Sequence, residues 1–425
     1  MRIAIPLTGT RGDVHPIVGL GVELQRRGHE VLIGAPPNLV EFVTAAGLPA
    51  QACGPDVQRL YSSDEGQRAL AAGNTLRLMQ LVGKQMAEYG ERMNREVIRV
   101  CAKADLIVAS TVTEDRASSI AEAMGVPLVS LHYYPARMNS VYPFPGLLPA
   151  HWNPPAPVNR ATWLLAENLR RVVFLRYLNE LRGVLGLPKS YTSPAAALAR
   201  ARVPEIQIYD PALVPGLPRQ WDDRRPFTGF LTLDQATRAA VGELSGSHDD
   251  ILSWVDAGEP PVFFGFGSMP IRDAAAVFAM VEQVSARLGV RALVHAGWSD
   301  LDVANIVTGD RIKLVGNFAY DRVFPHCAAA VHHGGIGTLF ESLRAGLPTV
   351  VCSVSFEQPM WGGQVERLGV GAHLPFTAMT ADRLAGALGP LLNARTRQRV
   401  EGFAATLRTT GVAEHTADLI EAAAR

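Results

Sequence analysis

The chain has 425 residues, about two to three times the size of a typical single domain, so we expect two domains. Apolar residues make up 48% of the sequence, which is enough for two buried cores. Lysine plus arginine and aspartate plus glutamate both number 40, which excludes a chain-wide charge that would draw the protein to nucleic acid or to an anionic membrane.

The first half of the sequence alternates between predicted strands and predicted helices. Short apolar segments of the kind found in parallel sheets occur at residues 3–7, 31–34, 106–110 and 128–131. Helical spacing of apolar residues occurs at residues 14–27, 39–46 and 116–124. This alternation predicts a doubly wound α/β domain.

Two proline-rich segments interrupt the alternation before it resumes. Prolines are dense at residues 143–158 and recur at 211–226, and the second segment fits a linker. Strand-like segments then return at residues 262–266, 293–295, 312–315, 329–332 and 349–351. We therefore predict two Rossmann-like domains, residues 1–210 and 227–405, which face each other across a cleft and are joined by linker 211–226. A last helix, within residues 406–425, is expected to pack back on the first domain.

The strongest chemical signal follows the predicted strand 329–332. The next residues include His333, Gly334, Gly335, Gly337 and Thr338, and Glu341 follows one helical turn later. Glycines let a ligand approach the backbone, and the free N–H groups and dipole of a helix N-terminus attract phosphate. The alternative is a glycine-rich turn with a capping threonine. A metal site is disfavoured, because adjacent side chains on a strand point to opposite faces.

Two further loops carry polar groups after predicted strands of the second half. Ser268 lies in a Gly-Phe-Gly-Ser-Met sequence, and Glu357 with Gln358 follows strand 349–351. A hydroxyl suits a pyrophosphate, and an adjacent acid and amide can accept from and donate to the hydroxyls of one sugar ring. The alternatives are the glycines of an ordinary turn for the first loop and a solvent-exposed loop for the second.

Residues 9–16 follow the first predicted strand and contain two candidate bases, Asp13 and His15. The alternative for Asp13 is the N-cap of the helix that begins near Val14. Neither half of the chain has the G-x-G-x-x-G pattern of a dinucleotide-binding domain, which argues against a nicotinamide-dependent dehydrogenase. Asp300 and Asp302 match a D-x-D metal-binding pattern, but their polar surroundings favour a solvent-facing loop.

In their order along the chain, these motifs resemble the glycosyltransferases of GT-B fold, which include glycopeptide-antibiotic, sterol and plant natural-product enzymes. The resemblance is greatest to actinobacterial and mycobacterial glycolipid-type members. It is carried by residues 9–14 (GTRGDV), 225–227 (RPF), 264–270 (FGFGSMP), 332–338 (HHGGIGT), 343–349 (LRAGLPT) and 358–361 (QPMW). It implies a hexosyltransferase that uses a UDP or dTDP sugar as co-substrate and needs no other cofactor.

The resemblance assigns the second domain to the nucleotide sugar. The residues that it implies for the diphosphate are Ser268, His333, Gly334, Gly335, Gly337 and Thr338. Glu341 is implied to hold the ribose, Glu357 and Gln358 the donor sugar, and Asn317 and Phe318 the base. Thr10, Arg11 and Gly12 of the first domain are expected to contact the donor. A carboxylate at position 341 can bridge two ribose hydroxyls, which favours UDP over dTDP.

Asp13 occupies the position of the family's general base. Plant members carry a histidine three residues before a proline, and the matching position here, counted back from Pro16, is Asp13. A carboxylate can itself take the acceptor's proton, although its unperturbed pKa is only about 3.9. The implied reaction is an inverting displacement in which His333, backbone N–H groups and the helix dipole replace a metal ion at the leaving diphosphate.

The first domain is expected to bind a hydrophobic natural-product or lipid acceptor through residues His132, Tyr133, Tyr134, Tyr142 and Phe144. Two other functions stay open: a sugar-nucleotide epimerase of the same architecture, and a non-catalytic protein that binds sugar nucleotides or lipids. Four separated cysteines, no recognisable signal peptide and no apolar run of about 20 residues favour a cytoplasmic protein. The balanced charge argues against a nucleic-acid partner, and both a monomer and a homodimer stay open. Peripheral contact with a membrane stays open as well.

Overall fold

The computed structural model of the chain describes residues 1–71, 75–244, 248–266, 274–295, 311–316 and 318–425. The predictions for Ser268, Asn317, Asp300 and Asp302 lie outside these described residues.

The first sheet is built from the N-terminal half of the chain. Its strands are β1 (Arg2–Pro6), β2 (Glu30–Ala35), β3 (Ala50–Ala52), β4 (Leu106–Ser110), β5 (Leu128–His132) and β6 (Glu205–Gln207). They pair in parallel in the order β3-β2-β1-β4-β5-β6. The helices of this half are α1 (Arg11–Arg26), α2 (Val40–Ala45), α3 (Val57–Ser62), α4 (Asp64–Ala71), α5 (Thr75–Cys101), α6 (Glu114–Met124), α7 (Ala156–Val184) and α8 (Pro194–Arg200).

The second sheet repeats this plan in the C-terminal half. Its strands are β7 (Val262–Gly265), β8 (Ala292–His295), β9 (Ile312–Val315), β10 (Ala329–His332), β11 (Thr349–Val351) and β12 (Gly371–His373), paired in parallel in the order β12-β11-β10-β7-β8-β9. The remaining helices are α9 (Gln235–Ala240), α10 (His248–Asp256), α11 (Ala274–Leu288), α12 (Tyr320–Val323), α13 (Ile336–Arg344), α14 (Gln358–Leu368), α15 (Ala381–Leu388), α16 (Ala394–Ala404) and α17 (Val412–Ala423). Among the described helices, none combines the length and apolar character required to cross a bilayer.

Burial explains why the strands are nearly continuous apolar runs. Every residue of β4, β5 and β7 is buried, because helices cover both faces of a parallel sheet.

The two doubly wound domains predicted from the sequence are confirmed. Strand order reverses between β1 and β4 in the first sheet and between β7 and β10 in the second. Ligands of such sheets bind beyond the carboxyl ends of the strands at these switch points.

The last helix of the chain lies against the first helix. The Arg27 guanidinium, just past α1, pairs with Asp418 of α17 at 2.7 Å, and His29 lies 2.8 Å from Glu421. Apolar residues of α17, including Ala417 and Ile420, share one buried cluster with the apolar face of α1. The C-terminal end of the described chain therefore helps to hold the helix that follows β1.

Candidate active site

The junction between β1 and α1 is closed by a capping box. The Thr10 hydroxyl accepts from the Gly12 N–H at 3.2 Å, and the Asp13 carboxylate accepts from the Thr10 N–H at 2.7 Å. The N-cap is thus Thr10, and Asp13 is the reciprocal partner at the third helical position. Gly9 is required here: its φ is +124°, and a Cβ would lie 2.2 Å from the Asp13 Oδ2.

The pKa of the Asp13 carboxyl is raised into a range that suits proton transfer near neutral pH. Burial raises its pKa to about 6, although the hydrogen bonds from Thr10 act in the opposite direction. A carboxyl with this pKa is ionised at pH 7 and is still basic enough to share a proton with a reacting hydroxyl. The Tyr133 hydroxyl donates to the backbone carbonyl of Asp13 at 2.6 Å and so fixes the turn that carries it.

His15, the other candidate base, is engaged elsewhere. Its Nε2 lies 3.0 Å from an oxygen of Glu243, and the Arg11 guanidinium lies 2.8 Å from the same oxygen. Burial acts to raise the pKa of Glu243, but His15 and Arg11 lower it to about 2, so this carboxylate is ionised. The structure therefore separates Asp13 from His15, which spacing along the sequence left unresolved.

The junction between β10 and α13 differs from the one between β1 and α1, because its N-cap residue has no side chain. Gly335 is the N-cap of α13 and has no side chain to accept from the first N–H groups of this helix, and no other side chain of the described residues caps them. Gly334 has a φ of +89°, and a Cβ on it would lie 2.5 Å from Val351. An uncapped helix N-terminus with glycines in the turn before it suits an anionic ligand.

The two histidines beside this turn have different roles. His332 is fully buried; its Nδ1 accepts from the Gly334 N–H at 3.0 Å, and its Nε2 lies 2.8 Å from the Thr349 hydroxyl. In contrast, the Nδ1 of His333 is buried and makes no hydrogen bond to any of the residues that the structure describes. Burial lowers the pKa of His333 to about 4, so the ring is neutral at pH 7. A neutral imidazole with a free ring nitrogen can donate one hydrogen bond to a phosphate oxygen.

Thr338 lies in the first turn of α13, beside a cluster of aromatic residues. Burial raises the pKa of Tyr320 to about 12, and its phenol hydrogen-bonds with the Thr338 hydroxyl. Phe318, which the resemblance implies for the base, is only 6% exposed, and its ring packs on Phe263 in an aromatic cluster. It supports Tyr320, whose ring centroid lies 5.1 Å away.

Glu341 is held between two arginines. Its two oxygens lie 2.5 Å from the Arg344 guanidinium and 3.4 Å from that of Arg238. The residue is only 7% exposed, and burial raises its pKa even though both arginines lower it. The sequence identified Glu341 but not Arg238, because these two residues are 103 positions apart.

The loop before α14 brings a second carboxylate close to Asp13. Phe356 has a φ of +57°, an unusual conformation for a non-glycine residue, and its side chain is 45% exposed. The pKa of the next residue, Glu357, is raised to about 7, mainly by burial and also by the charge of Asp13. Gln358 fixes the loop, since its side-chain oxygen accepts from the N–H groups of Val354 at 2.9 Å and Ser355 at 3.3 Å.

Three of the predicted acceptor contacts require correction. His132 is fully buried and lies 3.2 Å from Glu114, so it belongs to an internal polar network. The Tyr142 hydroxyl donates to the Pro215 carbonyl at 2.8 Å, and Tyr133 supports the Asp13 turn as described. A side chain that follows a strand end can point into the protein, and position alone did not reveal this.

Tyr134 and Phe144 are only half-buried and remain candidates for the acceptor region. Burial, and then the charge of Glu357, raise the pKa of Tyr134 to about 12. Burial likewise raises the pKa of Tyr61, with Asp13 and Glu357 as further causes. Neither Tyr61 nor Phe356 carries a sequence motif, and both were missed.

Family models match both halves of the chain. Residues 3–143 match the N-terminal domain of glycosyltransferase family 28, and residues 292–418 match the C-terminal domain of the erythromycin biosynthesis protein CIII-like family.

Similar whole proteins agree with these matches. An uncharacterized glycosyltransferase of Mycobacterium tuberculosis is 37% identical and covers 100% of this chain and 99% of its own length. The O-mycaminosyltylonolide 6-deoxyallosyltransferase of Streptomyces fradiae is 31% identical over 95% of this chain and 94% of its own length. Among solved structures, the Streptomyces glycosyltransferase SsfS6 with thymidine diphosphate has a TM-score of 0.62 at 21% identity and covers 99% of both chains.

Proposed function

The chain belongs to the GT-B glycosyltransferases, and on that premise we propose that it is an inverting, metal-independent enzyme that moves a hexose from a nucleoside diphosphate to a hydroxyl of a hydrophobic acceptor. One observation carries the proposal: the uncapped N-terminus of α13, beside a His333 Nδ1 that has no hydrogen-bond partner among the described residues, follows a strand of one sheet, and the half-buried carboxyl of Asp13 follows a strand of the other. The first arrangement suits a diphosphate and the second a general base.

The proposed reaction is a single displacement. Asp13 takes the proton of the acceptor hydroxyl while the hydroxyl oxygen attacks the anomeric carbon. The bond between that carbon and the diphosphate oxygen breaks, and the diphosphate leaves with the electron pair. Because attack and departure occur on opposite faces of the sugar, the configuration inverts.

The leaving diphosphate needs compensation for its developing charge, and groups of the chain itself can provide it. The uncapped N–H groups and dipole of α13 and the free nitrogen of His333 are fixed before the reaction begins, so they need little reorganisation. The low pKa of His333 indicates that the ring donates as a neutral group. A bound dianion would raise this pKa, so we expect donor binding to take up protons below about pH 6.

We propose UDP as the preferred carrier over dTDP. Glu341 is held in place by Arg238 and Arg344, and a fixed carboxylate can accept from both ribose hydroxyls of UDP but from only one in dTDP. The SsfS6 structure contains thymidine diphosphate, which makes dTDP the competing choice. Equal kcat/KM values for the two carriers, unchanged by Glu341→Ala, would contradict the preference.

The acceptor is proposed to be an apolar natural product or lipid. The exposed ring of Phe356, which precedes Glu357 in the chain, and the half-buried Tyr134 and Phe144 offer apolar contact area for such an acceptor. The name of the Streptomyces fradiae relative states that it glycosylates a tylonolide, which is consistent with such an acceptor.

A binding and product assay tests the proposal. We expect thermal stabilisation by UDP or UDP-sugars, unaffected by EDTA, and no stabilisation by NAD. Product anomers measured by NMR should show inversion. Retention would overturn the mechanism, a requirement for divalent metal would overturn the role given to α13, and conversion of the donor to an isomer without any acceptor would indicate an epimerase.

A further inference from the structure

We infer that residues 228–243, here called the seam segment, fix the base-bearing turn of α1 relative to the donor-binding helix α13, with Glu243 as a positioning residue for Asp13. This inference rests on the proposed function, since Asp13 and α13 take their roles from it. The seam segment follows the linker and contains α9.

The seam segment runs along the N-terminal half of α1. At one point the backbones approach closely, because a Cβ on Gly19 would lie 2.5 Å from the Thr232 carbonyl oxygen. Eleven positions further along the segment, Glu243 contacts the N-terminal end of α1 through Arg11 at 2.8 Å and His15 at 3.0 Å. The segment therefore runs in the opposite direction to α1 and contacts both sides of the turn that holds Asp13.

The same segment also packs against α13. The rings of Phe230 and Phe340 lie 5.1 Å apart, and the Phe230 ring lies 3.5 Å from where a Cβ on Gly337 would be. Arg238, which is buried, pairs with Asp321 at 2.6 Å and reaches Glu341 at 3.4 Å. One short segment thus contacts the proposed ribose carboxylate and the turn of the proposed base.

The end of α9 fixes Glu243 relative to Arg238. Gly242 takes a φ of +79°, and the N–H of Glu243 then donates to the Arg238 carbonyl at 2.9 Å, which is the pattern of a Schellman motif. The Glu243 carboxylate is only 13% exposed, and both Arg11 and His15 converge on one of its oxygens. A charged residue is needed here, because Arg11 would otherwise lose its carboxylate partner.

This arrangement predicts that changes at Glu243 reach Asp13 without touching either substrate. Asp13 lies between Arg11 and His15 in sequence, and both flanking side chains are tied to Glu243. A loosened turn would misplace the base by a fraction of an ångström, and catalysis is steeply sensitive to such errors. Donor binding, which depends on α13 and His333, should be retained.

The experiment compares Glu243→Gln with the wild type and with Glu91→Gln, a control in an exposed helical ion pair on α5. We expect Glu243→Gln to lower kcat about tenfold, to leave the Kd of UDP within about twofold by calorimetry, and to speed amide hydrogen exchange at residues 10–15. Arg238→Gln should instead weaken UDP binding about tenfold, because the buried Glu341 loses a partner. Glu91→Gln should match the wild type in all three measurements.

Hydrogen exchange separates a failure of this inference from a failure of the proposed function. If the wild type neither binds UDP nor transfers sugar, the proposed function fails, yet exchange at residues 10–15 still reports whether Glu243 holds the turn. Unchanged exchange in Glu243→Gln, or turnover equal to that of the wild type, would overturn the inference. Equal losses of UDP affinity and kcat would also overturn it, because they would indicate a general structural defect.

Discussion

The molecule contains the same strand-to-helix junction in both sheets, and the two junctions have opposite chemistry. After β1, the Thr10 hydroxyl and the Asp13 carboxylate accept from the N–H groups at the start of α1. After β10, the N-cap of α13 is Gly335, which has no side chain to do this. The first junction therefore carries a carboxylate, and the second carries N–H groups without a side-chain cap.

The difference shows that the capping residue, rather than the fold, decides what a helix N-terminus can do. Both junctions follow a strand at a switch point of a doubly wound sheet. A threonine cap and its reciprocal acid accept from the N–H groups at the start of the helix, and burial raises the pKa of that carboxylate. A glycine cap leaves the helix unsatisfied, so an anion can complete it. Changes to either junction can test this comparison.

Replacement of the first junction's carboxylate should have the largest effect. We expect Asp13→Asn to lower kcat by about 10²–10⁴-fold, the usual contribution of a general base, and to leave the Kd of UDP unchanged. The amide keeps an oxygen that can accept from the Thr10 N–H, so the capping box can persist. Steady-state transfer and calorimetry measure the two quantities.

Asp64→Asn is a matched control, because Asp64 is an exposed acid in the first turn of another helix, α4. It should transfer sugar at the wild-type rate. If the kcat of Asp13→Asn for sugar transfer is within about threefold of the wild-type value, Asp13 is not the base, because general-base catalysis contributes far more than this.

A side chain added to the second junction should have the next largest effect. A Cβ on Gly335 would lie 2.5 Å from the His333 Nε2, so Gly335→Ala forces this ring away from the helix N-terminus. Loss of one well-placed donor to a charged group predicts UDP binding about 10- to 100-fold weaker. In Gly386→Ala, the control in α15, the new Cβ has no neighbour within 4 Å, and UDP affinity should not change. Unchanged affinity in Gly335→Ala would contradict the assignment of the diphosphate to this turn.

The raised pKa of Asp13 predicts a smaller, graded effect of pH. The base must be ionised, so kcat/KM should fall below pH 6, by about tenfold for each pH unit. Glu357, with a pKa raised to about 7, titrates nearby, and Glu357→Gln isolates the contribution of Asp13. A pH profile of Glu357→Gln that is flat from pH 8 to pH 5 would indicate that Asp13 does not carry the proton.

The fold and the second junction were predictable from the sequence because their signals are local. Apolar runs mark buried parallel strands, and glycines mark the positive φ at Gly334 and the uncapped helix at Gly335. The positions of Asp13 and Glu341 could be inferred for the same reason. Their roles remain proposals that the experiments above address.

Contacts between distant segments could not be predicted. Glu243 lies 232 positions from Arg11, and nothing in its local sequence marks it as a partner. His132 was wrongly predicted to contact the acceptor. Its place at the end of β5 suggested an exposed side chain, but hydrogen bonds with Glu114 and Gln207 hold it inside the protein. Phe356 takes its positive φ in spite of local preference, which only the surrounding structure can impose.

The smallest expected effect concerns stability, and it tests whether burial or capping dominates at the first junction. The Asp13 carboxyl has a pKa of about 6 in the folded chain against 3.8 for the free group, so between these values folding takes up a proton. Its contribution to stability is therefore lost as pH rises through 6, and above pH 6 the folded chain holds a buried charge. Asp13→Asn removes that charge and should raise Tm by about 2–4 °C at pH 8, with little difference at pH 4. Thermal denaturation at the two pH values measures this, and a lower Tm for Asp13→Asn at pH 8 would mean that the hydrogen bonds from Thr10 outweigh the cost of burial.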